Sequence, residues 1–188
     1  MSNLVGLWLP VMLSAVAVFV ASSILHMVVA SWHKDDCRAL PDEAPVLDAL
    51  RPLAIPPGDY AAPMPSSMAD MKTPEFSAKM KAGPVVLLTV RPNCEMNMGK
   101  SLLLWFVYCL VVSALAAYVA SASLAPGASF GRVNQVVGAT ALAGYSLALW
   151  QAVIWYGRSF GAALRTSLDG LLYAILTGLV FGWMWPAA

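Results

Sequence analysis

Four apolar stretches decide what this chain can become: Leu4 to Val29, Leu102 to Ala122, Val133 to Tyr156 and about Leu171 to Trp185. A helix crossing roughly 30 Å of hydrocarbon needs about 20 mostly apolar residues. The first three stretches meet that length directly. The fourth meets it when Thr166 to Gly170 joins, which leaves Asp169 at its polar edge. With 60% hydrophobic and 11% charged residues over 188 positions, the chain has more apolar surface than a soluble domain of that size can bury. Lipid cannot satisfy free backbone groups, so stretches of this length must be helices. The expected spans are 4–32, 101–123, 133–156 and 167–186.

The basic residues orient the spans. Lys34, Arg38, Arg51, Lys72, Lys79, Lys81, Arg91 and Lys100 fall between spans one and two, and Arg158 and Arg165 between three and four. Arg132 alone falls on the other face. Basic residues stay cytoplasmic, so both termini are expected on the periplasmic side and the loop 33–100 in the cytosol. Tryptophans agree: Trp8, Trp183 and Trp185 map near one interface, and Trp32, Trp105 and Trp155 near the other. The first span lacks a basic n-region and is too long for a signal-peptide core, so it is expected to be retained. Cys37, Cys94 and Cys109 are odd in number, two of them in the cytosolic loop, and read as free thiols.

The 68-residue loop holds ten of thirteen prolines and nine of ten acidic residues, against eight basic ones. A net charge of −1 is no polybasic patch for nucleic acid or anionic lipid. Asp42 to Arg51 reads as a short helix with Pro45 in its first turn. Thr73 with Pro74 reads as a second helix start, and Gly83 as its stop. Phe76 and Met80 share a face of that helix, which suits it to lie on the inner leaflet. Pro56, Pro57, Pro63 and Pro65 argue against regular structure between Ala54 and Pro65. The run Val85, Val86, Leu87, Leu88, Thr89, Val90 is a strand signal. It must pair with the Pro-rich stretch, with a second copy, or with a partner chain.

Within the spans, Gly170, Ala174, Gly178 and Gly182 recur every fourth residue, and Ser113, Ala117 and Ser121 repeat the device in span two. Small residues allow the close backbone approach that drives helix association in lipid. They mark an oligomer or partner interface, or, more plainly, spans two and four packing on each other.

Gly99-Lys100-Ser101 ends like a P-loop, but Cys94 stands where its first glycine belongs, so no nucleotide is expected. Ser101 reads instead as a helix cap beside the basic anchor Lys100. Cys94, Met96 and Met98 alternate and offer soft donors suited to copper. His26, His33, Asp35, Asp36 and Cys37 gather at the end of span one, with side chains that suit zinc or iron. His26 and His33 are seven residues apart and share a face if the helix reaches that far. An intramembrane ionisable group such as His26 is a functional candidate by default, although a neutral, hydrogen-bonded histidine is the plainer reading. No Asp or Glu is expected inside any span, which argues against a proton- or cation-coupled transporter. No Ser-His-Asp set, HExxH or paired-carboxylate pattern marks a catalytic site.

Pro56-Pro57-Gly58-Asp59-Tyr60, Gly83-Pro84-Val85, Met98-Gly99-Lys100-Ser101-Leu102, and Leu149-Trp150-Gln151 with Ile154-Trp155 stand in a long-loop layout. In these elements the chain resembles a group of bacterial four-helix inner-membrane proteins of unknown function. The resemblance covers nearly the whole chain and implies the bundle and the bacterial inner membrane, with no activity. The expected fold is therefore an all-α membrane protein of four transmembrane helices, with a Pro-rich cytoplasmic loop of short helices and one strand. The first functional reading is a non-catalytic accessory or interaction subunit with a protein partner or as a homo-oligomer. The alternatives are a membrane protein or enzyme binding copper, zinc or iron, and a small oligomeric channel or non-coupled transporter.

Overall fold

The computed structural model describes residues 4–95 and 97–187. Four helical stretches are long and apolar enough to cross a membrane: Trp8–Val28, Met98–Ser123, Phe130–Tyr156 and Phe160–Met184, with mean hydropathies of 2.2, 2.3, 1.4 and 1.4. The chain divides into two compact units, a smaller one over Ala39–Met96 and a larger one formed by Met1–Arg38 with Asn97–Ala188.

Helix α1, Trp8–Ser23, opens the larger unit and runs into a π-turn over Ile24–Val28. The chain leaves helical geometry at Val29 (φ −96°, ψ 42°) and makes one 3-10 turn, Ala30–Trp32. The single helix expected over 4–32 is thus broken before His33.

The smaller unit holds α2 (Ala44–Leu50), β1 (Gly58–Ala62), α3 (Pro74–Ala82) and β2 (Val86–Val90). Pro45 sits in the first turn of α2, where its missing N–H costs nothing. Thr73 Oγ1 accepts the Phe76 amide at 3.2 Å to start α3, and Gly83, at φ 57°, stops it. The strands are antiparallel, with Gly58 opposite Val90 and Ala62 opposite Val86. Of the three pairings the strand signal allowed, the chain uses the Pro-rich stretch. Prolines exclude a ladder only where they stand, and the five residues between Pro57 and Pro63 are free of them. Thr89 Oγ1 adds a cross-strand bond to Asp59 Oδ1 at 2.6 Å. No described residue of this unit is buried.

The larger unit resumes with α4 (Met98–Ser123). Its cap is Asn97, whose Oδ1 accepts the Lys100 amide at 2.9 Å. Ser101, the expected cap, is already inside the first turn and cannot reach back to that amide. Helix α5 (Phe130–Leu142) passes through a π-turn (Ala143–Leu147) into α6 (Leu149–Tyr156). Gly157, at φ 59°, makes the tight connection to α7, Phe160–Met184. Ser159 caps α7 by accepting the Ala162 amide at 3.3 Å. This helix starts seven residues before the expected 167, which carries Asp169 from an edge into a helix interior.

In the larger unit α1 packs on α4 and α7, and α5 packs on the same two, so α4 and α7 lie across a diagonal. Leu7, Leu124, Val133 and Phe181 share one apolar cluster, so the starts of α1 and α5 meet the ends of α4 and α7 at one end of an up-down bundle. The small-residue ridge of α7 packs on α5 and its π-turn. A Cβ on Gly170 would meet Ser146, one on Gly178 would meet Asn134, and one on Gly182 would meet Phe130. The expected packing of the fourth span on the second is corrected here. Ser113 and Ala117 are buried, and Ser113 accepts a hydrogen bond from Ser14 Oγ of α1 at 3.0 Å. Ser121 is partly covered and donates to the Tyr118 carbonyl at 2.9 Å.

Candidate functional site

The π-turn after α1 contains His26. Such turns are often found at functional sites. His26 Nδ1 lies 2.9 Å from the Ser22 carbonyl oxygen. A carbonyl can only accept, so Nδ1 carries the proton and Nε2 keeps a bare lone pair. Ser22 is itself held by α4: its Oγ accepts the Trp105 indole N–H at 2.7 Å and donates to the Phe19 carbonyl at 2.8 Å.

Beyond the 3-10 turn, His33 Nδ1 lies 2.6 Å from Asp36 Oδ2. The other Asp36 oxygen accepts two N–H groups of Arg165 on α7, Nε at 2.8 Å and Nη2. Partial burial works against the Asp36 charge, but the hydrogen bonds from His33 and Arg165 outweigh it and hold the carboxyl below 3.8. An ionised Asp36 accepts the Nδ1–H of His33, which leaves His33 Nε2 to hold a second proton or to face a cation.

That nitrogen faces Asp169 of α7, with 2.9 Å between His33 Nε2 and Asp169 Oδ2. The two atoms are close, yet neither has an aligned hydrogen-bond partner among the described residues. Asp169 Oδ1 is satisfied by the Trp32 indole N–H at 3.0 Å. The Asp169 side chain is 4% exposed and that of His33 14%. Two lone-pair atoms apposed out of water at this distance are costly unless a proton or a cation lies between them. The His26 and His33 rings stack with centroids 4.3 Å apart at 11°. One nitrogen of each and one Asp169 oxygen all lie within 4.8 Å of one another. No other cluster of three or more His, Cys, Asp or Glu side chains close enough to hold a metal ion occurs among the described residues.

The fold thus brings together His26 and His33, two of the residues expected to bind metal, and adds Asp169. Asp35 and Cys37 are exposed and outside the cluster. Cys94 is exposed in the smaller unit, Met98 opens α4, and Met96 lies outside the described residues. Sequence reasoning named Asp36 as a candidate ligand, whereas here it supports His33, and it missed Asp169, Arg165 and Trp32 as members of the site. Two signals were available: Asp169 is the one acidic residue of α7, and Arg165 stands four residues before it on the same helix face. No protein-family model, curated protein or solved structure matches this chain.

Proposed function

We propose that this is a multi-pass protein of the bacterial inner membrane that holds a divalent transition metal ion between His26, His33 and Asp169. The carrying observation is the unpartnered pair His33 Nε2 and Asp169 Oδ2, 2.9 Å apart, with His26 in reach. Both imidazoles are fixed through Nδ1, one by a backbone carbonyl and one by a carboxylate. That is the usual support around metal-binding histidines. Two imidazoles and a carboxylate are hard-to-borderline donors, so zinc or ferrous iron fits better than Cu(I), which prefers sulfur. The distribution of basic residues supports placing this end of the bundle at the cytoplasmic face.

The test is metal analysis of protein extracted from its own membranes without added metal, alongside its native mass. A near-stoichiometric ion is expected, lost on Asp169→Asn. A metal-free particle whose thermal stability ignores added Zn(II) or Fe(II) would overturn the reading. It would leave His33 as a protonated bridge between Asp36 and Asp169.

The accessory-subunit reading loses two of its supports, because β2 pairs within the chain and the α7 ridge packs on α5. It keeps one specific observation: the smaller unit buries no described residue while exposing Val46, Leu47, Leu53, Met64, Met68 and Leu87. A two-stranded sheet with so little core is marginal alone. A stoichiometric second chain in the same native mass would favour this reading.

A further inference from the structure

We infer that the position between His26, His33 and Asp169 is coordinatively open, and that its remaining ligand is a small monoanion, hydroxide or a carboxylate group. This rests on the metal reading above. Three protein donors are on offer, and among the described residues no fourth His, Cys, Asp or Glu donor joins them. The nearest further carboxylate is spent, since Asp36 gives one oxygen to His33 and the other to Arg165. Asp169 can give only Oδ2, because Trp32 holds Oδ1.

A structural zinc site closes with four protein ligands, whereas a three-ligand site leaves room for water or substrate. Two histidines and one carboxylate are also the donor set of open non-haem iron centres. Protein does not close the site on the His26 side. His26 is exposed, and Trp32, beside Asp169, is 38% exposed.

Charge selects the class of ligand. A divalent ion against the Asp169 carboxylate leaves one net positive charge, because Asp36 and Arg165 neutralise each other. In a low-dielectric surrounding that charge favours a monoanion over a neutral donor or a dianion.

The test uses the full-length protein in detergent, loaded with Co(II) and titrated with sodium azide while visible d–d bands are followed. Bands that appear on loading, vanish in Asp169→Asn, and shift saturably with azide are expected. Bands that appear but ignore azide overturn the open position and leave the metal reading standing. Bands that persist unchanged in Asp169→Asn place the cobalt elsewhere and overturn both. No bands at all also overturn both. Circular dichroism of Asp169→Asn, which keeps an acceptor for Trp32, separates loss of ligand from loss of fold.

Discussion

The two ends of the bundle are built by opposite rules. At one end Leu7, Ala116, Ala117, Ala120, Leu124, Val133, Val137 and Phe181 form a cluster without a charged group. Nothing there requires a ligand, since shape alone fills the space between helices. At the other end the same four helices run past Cys109, Tyr145 and Tyr173 toward a network of His33, Asp36, Arg165, Trp32 and Asp169. Buried charges are costly, and replacing such a network with apolar residues is often neutral or stabilising. Such a network at a single end of an otherwise apolar bundle marks that end as the candidate site.

The largest expected effect separates the ends directly. Asp169→Ala removes one partner of a buried charge contact and should cost about 3–5 kcal/mol together with all bound metal. Phe181→Ala at the apolar end should cost about 2 kcal/mol, the lost-contact share of what such a truncation costs in a water-soluble core, where the transfer term adds to it. It should leave metal content unchanged. Unfolding in mixed micelles with metal analysis of the folded fraction reads both quantities. If Phe181→Ala also strips the metal, the ends are one cooperative unit and the contrast fails.

Overpacking the ridge of α7 is next. A Cβ on Gly170 would lie 2.1 Å from Ser146 Oγ and 3.2 Å from Tyr145 Cβ, beside the polar network. On Gly182 it would lie 2.7 Å from the ring of Phe130, which is 41% exposed and can swing outward. Gly170→Leu should therefore cost about 1–3 kcal/mol and Gly182→Leu the lower part of that range. The same unfolding measurement decides, and the reverse order would mean that the apolar end is the more tightly fitted.

Asp36→Asn tests the support of the polar end without removing a proposed ligand. An amide can still accept from Arg165, but it no longer holds the Nδ1 proton of His33 as a carboxylate does. Loss of such a supporting group lowers metal affinity by about 10–100-fold. Competition against a chromophoric chelator measures this, and unchanged affinity would make Asp36 a partner of Arg165 only.

Much of the apolar end is legible in the sequence, because length and hydropathy alone define spans and small-residue spacing marks where backbones approach. Thr73 before Pro74, and Gly83 after α3, are legible because caps and left-handed stops have few alternatives. Helix boundaries misled where the opening turns of α7 were mistaken for loop. Residues 160–165 belong to α7, and counting them as loop set Asp169 at a margin instead of inside a helix. The stack of His26 on His33 was not legible from seven-residue spacing, because the chain reaches it through a π-turn and a break at Val29. Pairing of Gly58–Ala62 with Val86–Val90 was obscured by flanking prolines that bound the ladder without entering it.

The smallest expected effect lies in the belt between the two ends. Ser14 Oγ donates to Ser113 Oγ at 3.0 Å, joining α1 to α4 where the apolar cluster gives way to the aromatic one. Interhelical hydrogen bonds of this kind contribute about 0.6 kcal/mol on average, because the separated helices find other partners for the same groups. Ser14 also lies 3.1 Å from the Val11 carbonyl oxygen of its own helix, a partner that survives if the helices part. Ser14→Ala should thus lower stability by no more than about 0.6 kcal/mol, with metal content and metal affinity untouched. A change in affinity from so small a deletion would show that α1 and α4 transmit their spacing to the His26 turn through Ser22 and Trp105. The polar end would then depend on the apolar end for its geometry.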